Sequence, residues 1–233
     1  MPRLKTERED VLREQELKEM FGKIEGRDYM IGYYKTHLFG REIIQSFKFS
    51  TKMISALMAF LWLFGKREIE ILTLKKPDVY WDEKFLYTRF HVRKKKKRKQ
   101  QAVPFTYLKK ITLTNPYVHY ILSWVTEIGT NEYIFPGRSR PKKKIIKMPK
   151  KTYEYEMKES GYLSPEMAWK IIKFINPQAW CHLFRHSVAT QMAEEGATED
   201  ELMSWFDWDR ADTAHKYVSR GTKLIEKWSK RKW

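Results

Sequence analysis

The side chains best equipped for chemistry crowd into one segment, HLFRHSVATQMAEEGATEDELMSWFDWDRADTAHKY, which runs from His182 to Tyr217. His182 and Arg185 are separated by two residues, His186 follows directly, Gly196 closes a helical pattern, and Trp208 stands nine positions before Tyr217. Far upstream, Gly65, Arg67, Glu70, Leu74 and Asp78 form a second cluster, and residues 93–99 read RKKKKRK. These side-chain types grip anionic oxygen, move protons and attack electrophiles. Taken singly, each has an ordinary explanation. Pairs such as Arg67 with Glu70, or His182 with His186, are more often helix-surface contacts than catalysts, and a lone Tyr217 reads as a core tyrosine. The i, i+4 histidines suit zinc, but the Glu of a His-Glu-x-x-His site is missing and no third ligand is evident, so no metal is expected.

As one constellation, the segment resembles the signature of the tyrosine recombinase, or phage integrase, family. That signature is a His, two residues and an Arg at a helix start, then Gly, then His or Trp, then a nucleophilic Tyr nine residues on. His182, Arg185, Gly196, Trp208 and Tyr217 match this order. Gly65, Arg67, Glu70, Leu74 and Asp78 resemble the motif around the family's other arginine. Lys96, eight residues before Pro104, matches the family's hairpin lysine, with Lys94 and Lys95 as substitutes. The resemblance runs from about residue 12 to 218, the extent of a family catalytic domain, and five short motifs in order are far more specific than any one.

The resemblance implies a site-specific DNA strand transferase that cuts and rejoins double-stranded DNA through a 3′-phosphotyrosine intermediate, without ATP, metal or cofactor. In-line attack loads charge onto the nonbridging oxygens, which fixed guanidinium forks stabilise well, and Arg67 and Arg185 fall to that role. Tyr217 would be the nucleophile; with an unperturbed pKa of about 10 it needs a base and a positive field, and His182 is the expected base or phosphate donor. Lys96 would protonate the leaving sugar oxygen. Trp208 would donate its indole N–H to phosphate and pack the site, and Glu70 would orient Arg67. His186 is expected to be structural, bonding a neighbouring helix or the backbone. Type IB topoisomerase-like relaxation and a non-cutting DNA-binding role are the competing functions; the second is disfavoured because all five of Arg67, Lys96, His182, Arg185 and Tyr217 are present. The expected assembly is a monomer or weak oligomer when free and a tetramer on synapsed DNA.

Charge and composition agree with a nucleic-acid partner. The 233 residues carry 46 Lys and Arg against 29 Asp and Glu, a formal charge of +17, spread among segments that look folded. Arg93, Lys94, Lys95, Lys97, Arg98 and Lys99 are too charged to pack, so they are expected on solvent or on phosphate. Cys181 is the one cysteine, which excludes an internal disulfide and suits a reducing cytoplasmic compartment. The most apolar run, residues 53–64, falls short of the roughly 20 residues a membrane span needs.

The elements that must position these residues give an α+β, predominantly helical fold, in which a small antiparallel sheet packs beside a helical core. Periodicity predicts helices at 6–20, 50–64, a stretch following Gly65, 118–128, 165–174, 182–195, 199–206 and about 213–218. Met53, Met58, Phe60 and Trp62 are expected in the core. Strands are expected within 78–105, the last at 101–105, and a loose Lys- and Pro-rich stretch, a flexible loop or a DNA-tracking arm, at 137–151. Residues 26–49 have no assigned role. Residues 1–220 read as one catalytic domain with no separate N-terminal DNA-clamping domain evident, and 221–233 as a basic tail, a candidate subunit-exchange helix.

Overall fold

The computed structural model describes residues 11–38, 41–91, 106–129, 133–137, 141–147, 152–157 and 161–219. In chain order the elements are α1 (Glu14–Gly22), β1 (Tyr29–Leu38), β2 (Arg41–Ser50), α2 (Thr51–Phe64), α3 (Glu68–Leu72), β3 (Val79–Trp81), β4 (Phe85–His91), β5 (Thr106–Thr112), α4 (Val118–Glu127), β6 (Pro141–Lys147), β7 (Thr152–Met157), α5 (Pro165–Ile175), α6 (Cys181–Glu194) and α7 (Glu199–Phe206). A last helix, α8, spans residues 211–219. The chain divides into two compact units, residues 1–68 with 169–233, and residues 69–168.

The first unit is built around α2, which has almost no polar side chain to keep in water and is buried on every side from Met53 to Phe64. Each such large apolar side chain contributes about 1.5–3 kcal/mol when fully buried. Helix α6 packs against α2 and sends Leu183, Phe184, Val188 and Ala189 into the core. Helix α1 adds Leu17, Met20 and Phe21. It starts at Glu14, where the Glu16 carboxylate accepts the Arg13 backbone N–H at 2.8 Å and caps the helix; residues 6–10 of the stretch expected to be helical lie outside the described residues. The Leu12 N–H donates to Ser187 Oγ at 2.7 Å and Arg13 pairs with Glu194, so the entering chain is tied to α6.

Residues 26–49, unassigned from sequence, supply most of an antiparallel hairpin, β1 with β2, in register from Tyr29 opposite Ser50 to Leu38 opposite Arg41. Alternation buries Met30, Phe47 and Phe49 and exposes Tyr29, Ile31, Tyr33 and Ile44. Gly32 lies under the Phe47 ring, where a Cβ would come within 2.2 Å of it.

The second unit holds a three-stranded antiparallel sheet in the order β3-β4-β5. Residues 101–105 lie outside the described residues, and the strand that pairs with β4 is Thr106–Thr112, later than expected, with His91 opposite Thr106 and Phe85 opposite Thr112. That segment alternates half-buried Tyr107, Lys109 and Ile111 with exposed neighbours, a strand pattern despite its two lysines. Where a loop is expected at 137–151, β6 and β7 form a hairpin: backbone pairing satisfies the N–H and C=O groups whatever the side-chain charge. Asp78, which follows the helical stretch, is buried; it accepts the Lys75 N–H and bonds the His91 ring at 2.9 Å.

Candidate active site

The site begins where α2 ends. Gly65 adopts φ 56° and closes the helix by donating its N–H to the Leu61 carbonyl. A side chain there is excluded twice, by the left-handed backbone and because a Cβ would sit 2.6 Å from the Phe206 ring and 3.2 Å from Val188. This close approach brings the turn before Arg67 against the end of α7. Arg67 follows, half-buried, directly before α3.

Arg185 fastens the two segments together. It is 3% exposed, and its guanidinium donates to the Gly65 carbonyl at 3.0 Å and the Phe206 carbonyl at 2.8 Å. The same group lies 5.0 Å from the Phe206 ring centroid and 5.6 Å from that of Trp208, within cation–π range. One residue along on each side, a second tie runs parallel. Lys66 Nζ pairs with the Asp207 carboxylate and donates to the Trp205 carbonyl at 2.7 Å, with side-chain exposures of 0% and 2% for the pair. Asp207 takes φ 56°, the one positive value on a residue other than glycine among those described. Two buried cation contacts therefore hold the backbone on which Arg67 and Trp208 stand.

Tyr217 reaches this frame from α8. Its ring stacks on Trp208 at 5.2 Å and 14°, and Trp208 stacks in turn on Phe206 at 4.8 Å and 20°. The Tyr217 hydroxyl is 3.0 Å from Nδ1 of His186 on α6, with ring centroids 5.3 Å apart. A ladder of three aromatic rings beside the Arg185 guanidinium thus presents a phenol to an imidazole.

The structure brings Arg185, Trp208 and Tyr217 together by direct contact. The histidine against the nucleophile candidate is His186, which the sequence assigned a structural part; His182 stands one turn earlier on α6 and is exposed. Helical spacing signalled that the two histidines share a face, but only the position of α8 selects between them. Trp208 turns its face to Tyr217. Glu70 is buried on α3. Arg93, Lys94, Lys95, Lys96, Lys97, Arg98, Lys99 and the tail at 221–233 lie outside the described residues. Cys181, beside His182, is buried, and burial pushes its thiol up to about 12, so it is no competing nucleophile.

The phage integrase family model matches residues 41–223, and the chain belongs to that family. Among solved structures it is similar to the XerH site-specific recombinase bound to palindromic difH substrate in a post-cleavage complex, with TM-score 0.59 and 14% identity over 94% of this chain and 52% of that one. It is similar also to the XerA recombinase, with TM-score 0.56 and 14% identity over 96% and 64% of the two chains. The Tn1549 transposon integrase in complex with circular intermediate DNA gives TM-score 0.52 and 12% identity over 91% and 64%. The likeness is one of fold, and this chain spans about half of the XerH structure, 52%, and under two thirds, 64%, of the other two. No curated protein matches. Among the described residues no helix is long and apolar enough to cross a membrane.

Proposed function

We propose that this chain is a site-specific DNA recombinase or integrase that cuts one strand of a duplex with Tyr217 and holds it as a 3′-phosphotyrosine. The observation that carries the reading is the Tyr217 hydroxyl held 3.0 Å from an imidazole, on an aromatic ladder beside a buried guanidinium. Tyr217 Oη attacks phosphorus, and Arg67 and Arg185 stabilise the charge that gathers on the nonbridging oxygens. Arg67 does so from a half-buried position and Arg185 from beneath the Trp208 ring. His182, exposed on the first turn of α6, donates to phosphate. Lys96 protonates the departing 5′ oxygen, and Glu70 supports Arg67. The phosphotyrosine keeps the energy of the broken linkage, so rejoining requires no ATP, and no metal or cofactor enters the scheme.

Residues 1–220 act as the catalytic domain and 221–233 as the tail that docks on a neighbouring subunit in a DNA-bound tetramer. The chain works in the cytoplasm on chromosomal or element DNA, and the +17 charge supports that partner. The test is a pool of randomised nicked duplexes that trap a cleaving enzyme, followed by a denaturing gel. A covalent adduct that disappears in Tyr217→Phe, while DNA retention stays near normal, supports the proposal. Adducts that persist in that variant overturn it.

A further inference from the structure

The proton of Tyr217 must be taken as its oxygen attacks, and the family resemblance points to His182 for the task. We propose that His186 is the catalytic base, and that His182 is left to the phosphate; the proposal rests on Tyr217 being the nucleophile.

Three observations converge on His186. Its Nδ1 lies 3.0 Å from the Tyr217 hydroxyl, within the reach required of a general base. His182 stands four residues earlier on the same helix, about 6 Å along its axis, and is exposed, whereas His186 is half-buried. Finally, Trp208 stacks on the phenol ring nearly parallel, at 14°, which limits the tilt of the ring beside His186. For the phenol O–H to donate here Nδ1 must accept, which in a neutral ring places the hydrogen on Nε2, the arrangement the proposal requires. That tautomer is the one able to accept a further proton at Nδ1.

The step balances without an outside reagent. The Tyr217 Oη–H proton passes to His186 Nδ1 as the Oη–phosphorus bond forms; the phosphorus–O5′ bond breaks, and its electron pair takes a proton from the general acid. On rejoining, the 5′ hydroxyl returns its proton to the deprotonated general acid, attacks phosphorus and expels the phenolate, which recovers its own proton from His186 Nδ1. The imidazole therefore ends each cycle neutral, and the two histidines on one face of α6 divide the labour, one for the nucleophile and one for the charge on phosphate.

Asparagine at 186 separates proton transfer from positioning, because its amide oxygen takes nearly the place of Nδ1 and can accept the phenol hydrogen bond but cannot hold its proton. Cleavage is measured on a duplex enriched from the randomised nicked pool. With His186→Asn we expect adduct formation to slow by about 10²–10⁴-fold, the usual span for a general base. Replacing Tyr217 by 3,5-difluorotyrosine, which ionises far more readily, should shrink that defect at least about tenfold while changing the His186 enzyme much less. A His186→Asn enzyme that cleaves at the parent rate overturns the proposal, as does a slow one that fluorination leaves equally slow. Absence of adduct from the parent chain overturns the reading of Tyr217 itself, a separate result from either. Should His186→Asn fail to fold, ¹⁵N spectra of the parent chain decide: an unprotonated Nδ1 whose resonance moves in Tyr217→Phe supports the assignment, and a protonated Nδ1 refutes it.

Discussion

Replacing Lys66 by methionine tests whether the buried ion pair holds the site's frame. Lys66 and Asp207 have side-chain exposures of 0% and 2%, which puts the pair in the buried regime and not among surface pairs worth about 0–1 kcal/mol. Methionine keeps most of the volume but leaves the Asp207 carboxylate without its cation, and breaking such a pair from one side costs about 3–5 kcal/mol. That is a large part of the roughly 5–15 kcal/mol that holds a domain folded. Removing both charges has a different consequence. Lys66→Met with Asp207→Gly leaves no stranded charge, and glycine at φ 56° also relieves the left-handed backbone, by up to about 1 kcal/mol. Urea unfolding of the single and double variants, compared at constant slope, reads both effects. The double variant should lie within about 1 kcal/mol of the parent, or above it, while Lys66→Met falls far below. A loss under about 1 kcal/mol for Lys66→Met, or a double variant no more stable than that single one, would refute the argument.

Arg67→Ala and Arg185→Ala should each slow cleavage by the equivalent of about 2.7–4 kcal/mol per lost oxyanion donor. Arg185→Ala should also lower thermal stability, since it strips the Gly65 and Phe206 carbonyls of their donor in a buried place. For Lys96→Ala, slow cleavage should recover on DNA whose leaving 5′ oxygen is replaced by sulfur, because a thiolate departs without an acid; recovery in Lys94→Ala or Lys95→Ala instead would move the role to that residue. DNA affinity measured against salt should fall with a log–log slope of about −0.9 for each phosphate contact, and a slope near zero would mean that the basic residues serve solubility alone.

Much of the helical frame was legible because its signals are redundant. The apolar run of α2 ends at a glycine, and α7 opens with Thr198 and Glu201, which cap it reciprocally. The α+β class and the family followed from the same segments. The β6–β7 hairpin was hidden because its lysines mask the period-2 pattern, and backbone pairing needs no apolar face to form. In β1–β2 a signal was present, since Met30, Phe47 and Phe49 fall on one side of the pairing, but Gly32 at an inward position interrupts it until the Phe47 ring is seen to fill the gap. At the site, the family resemblance singled out Arg185, Trp208 and Tyr217, which the fold brings into contact. It did not resolve the Lys66–Asp207 pair, since neighbours of motif residues carry no period of their own. Nor could it assign a partner to His186, which depends on how α8 returns to α6.

The stacking of Tyr217 on Trp208 joins two residues of the same polypeptide, nine positions apart, across the short link from α7 to α8. Within this single chain the nucleophile candidate thus rests against Trp208 and His186 of its own protomer. Under the proposed function, the unit of cutting is one protomer and the unit of exchange is the assembly. In a heterozygous mixture of active and inactive copies, the first would be titrated by gene dose and the second by the chance of assembling enough active neighbours.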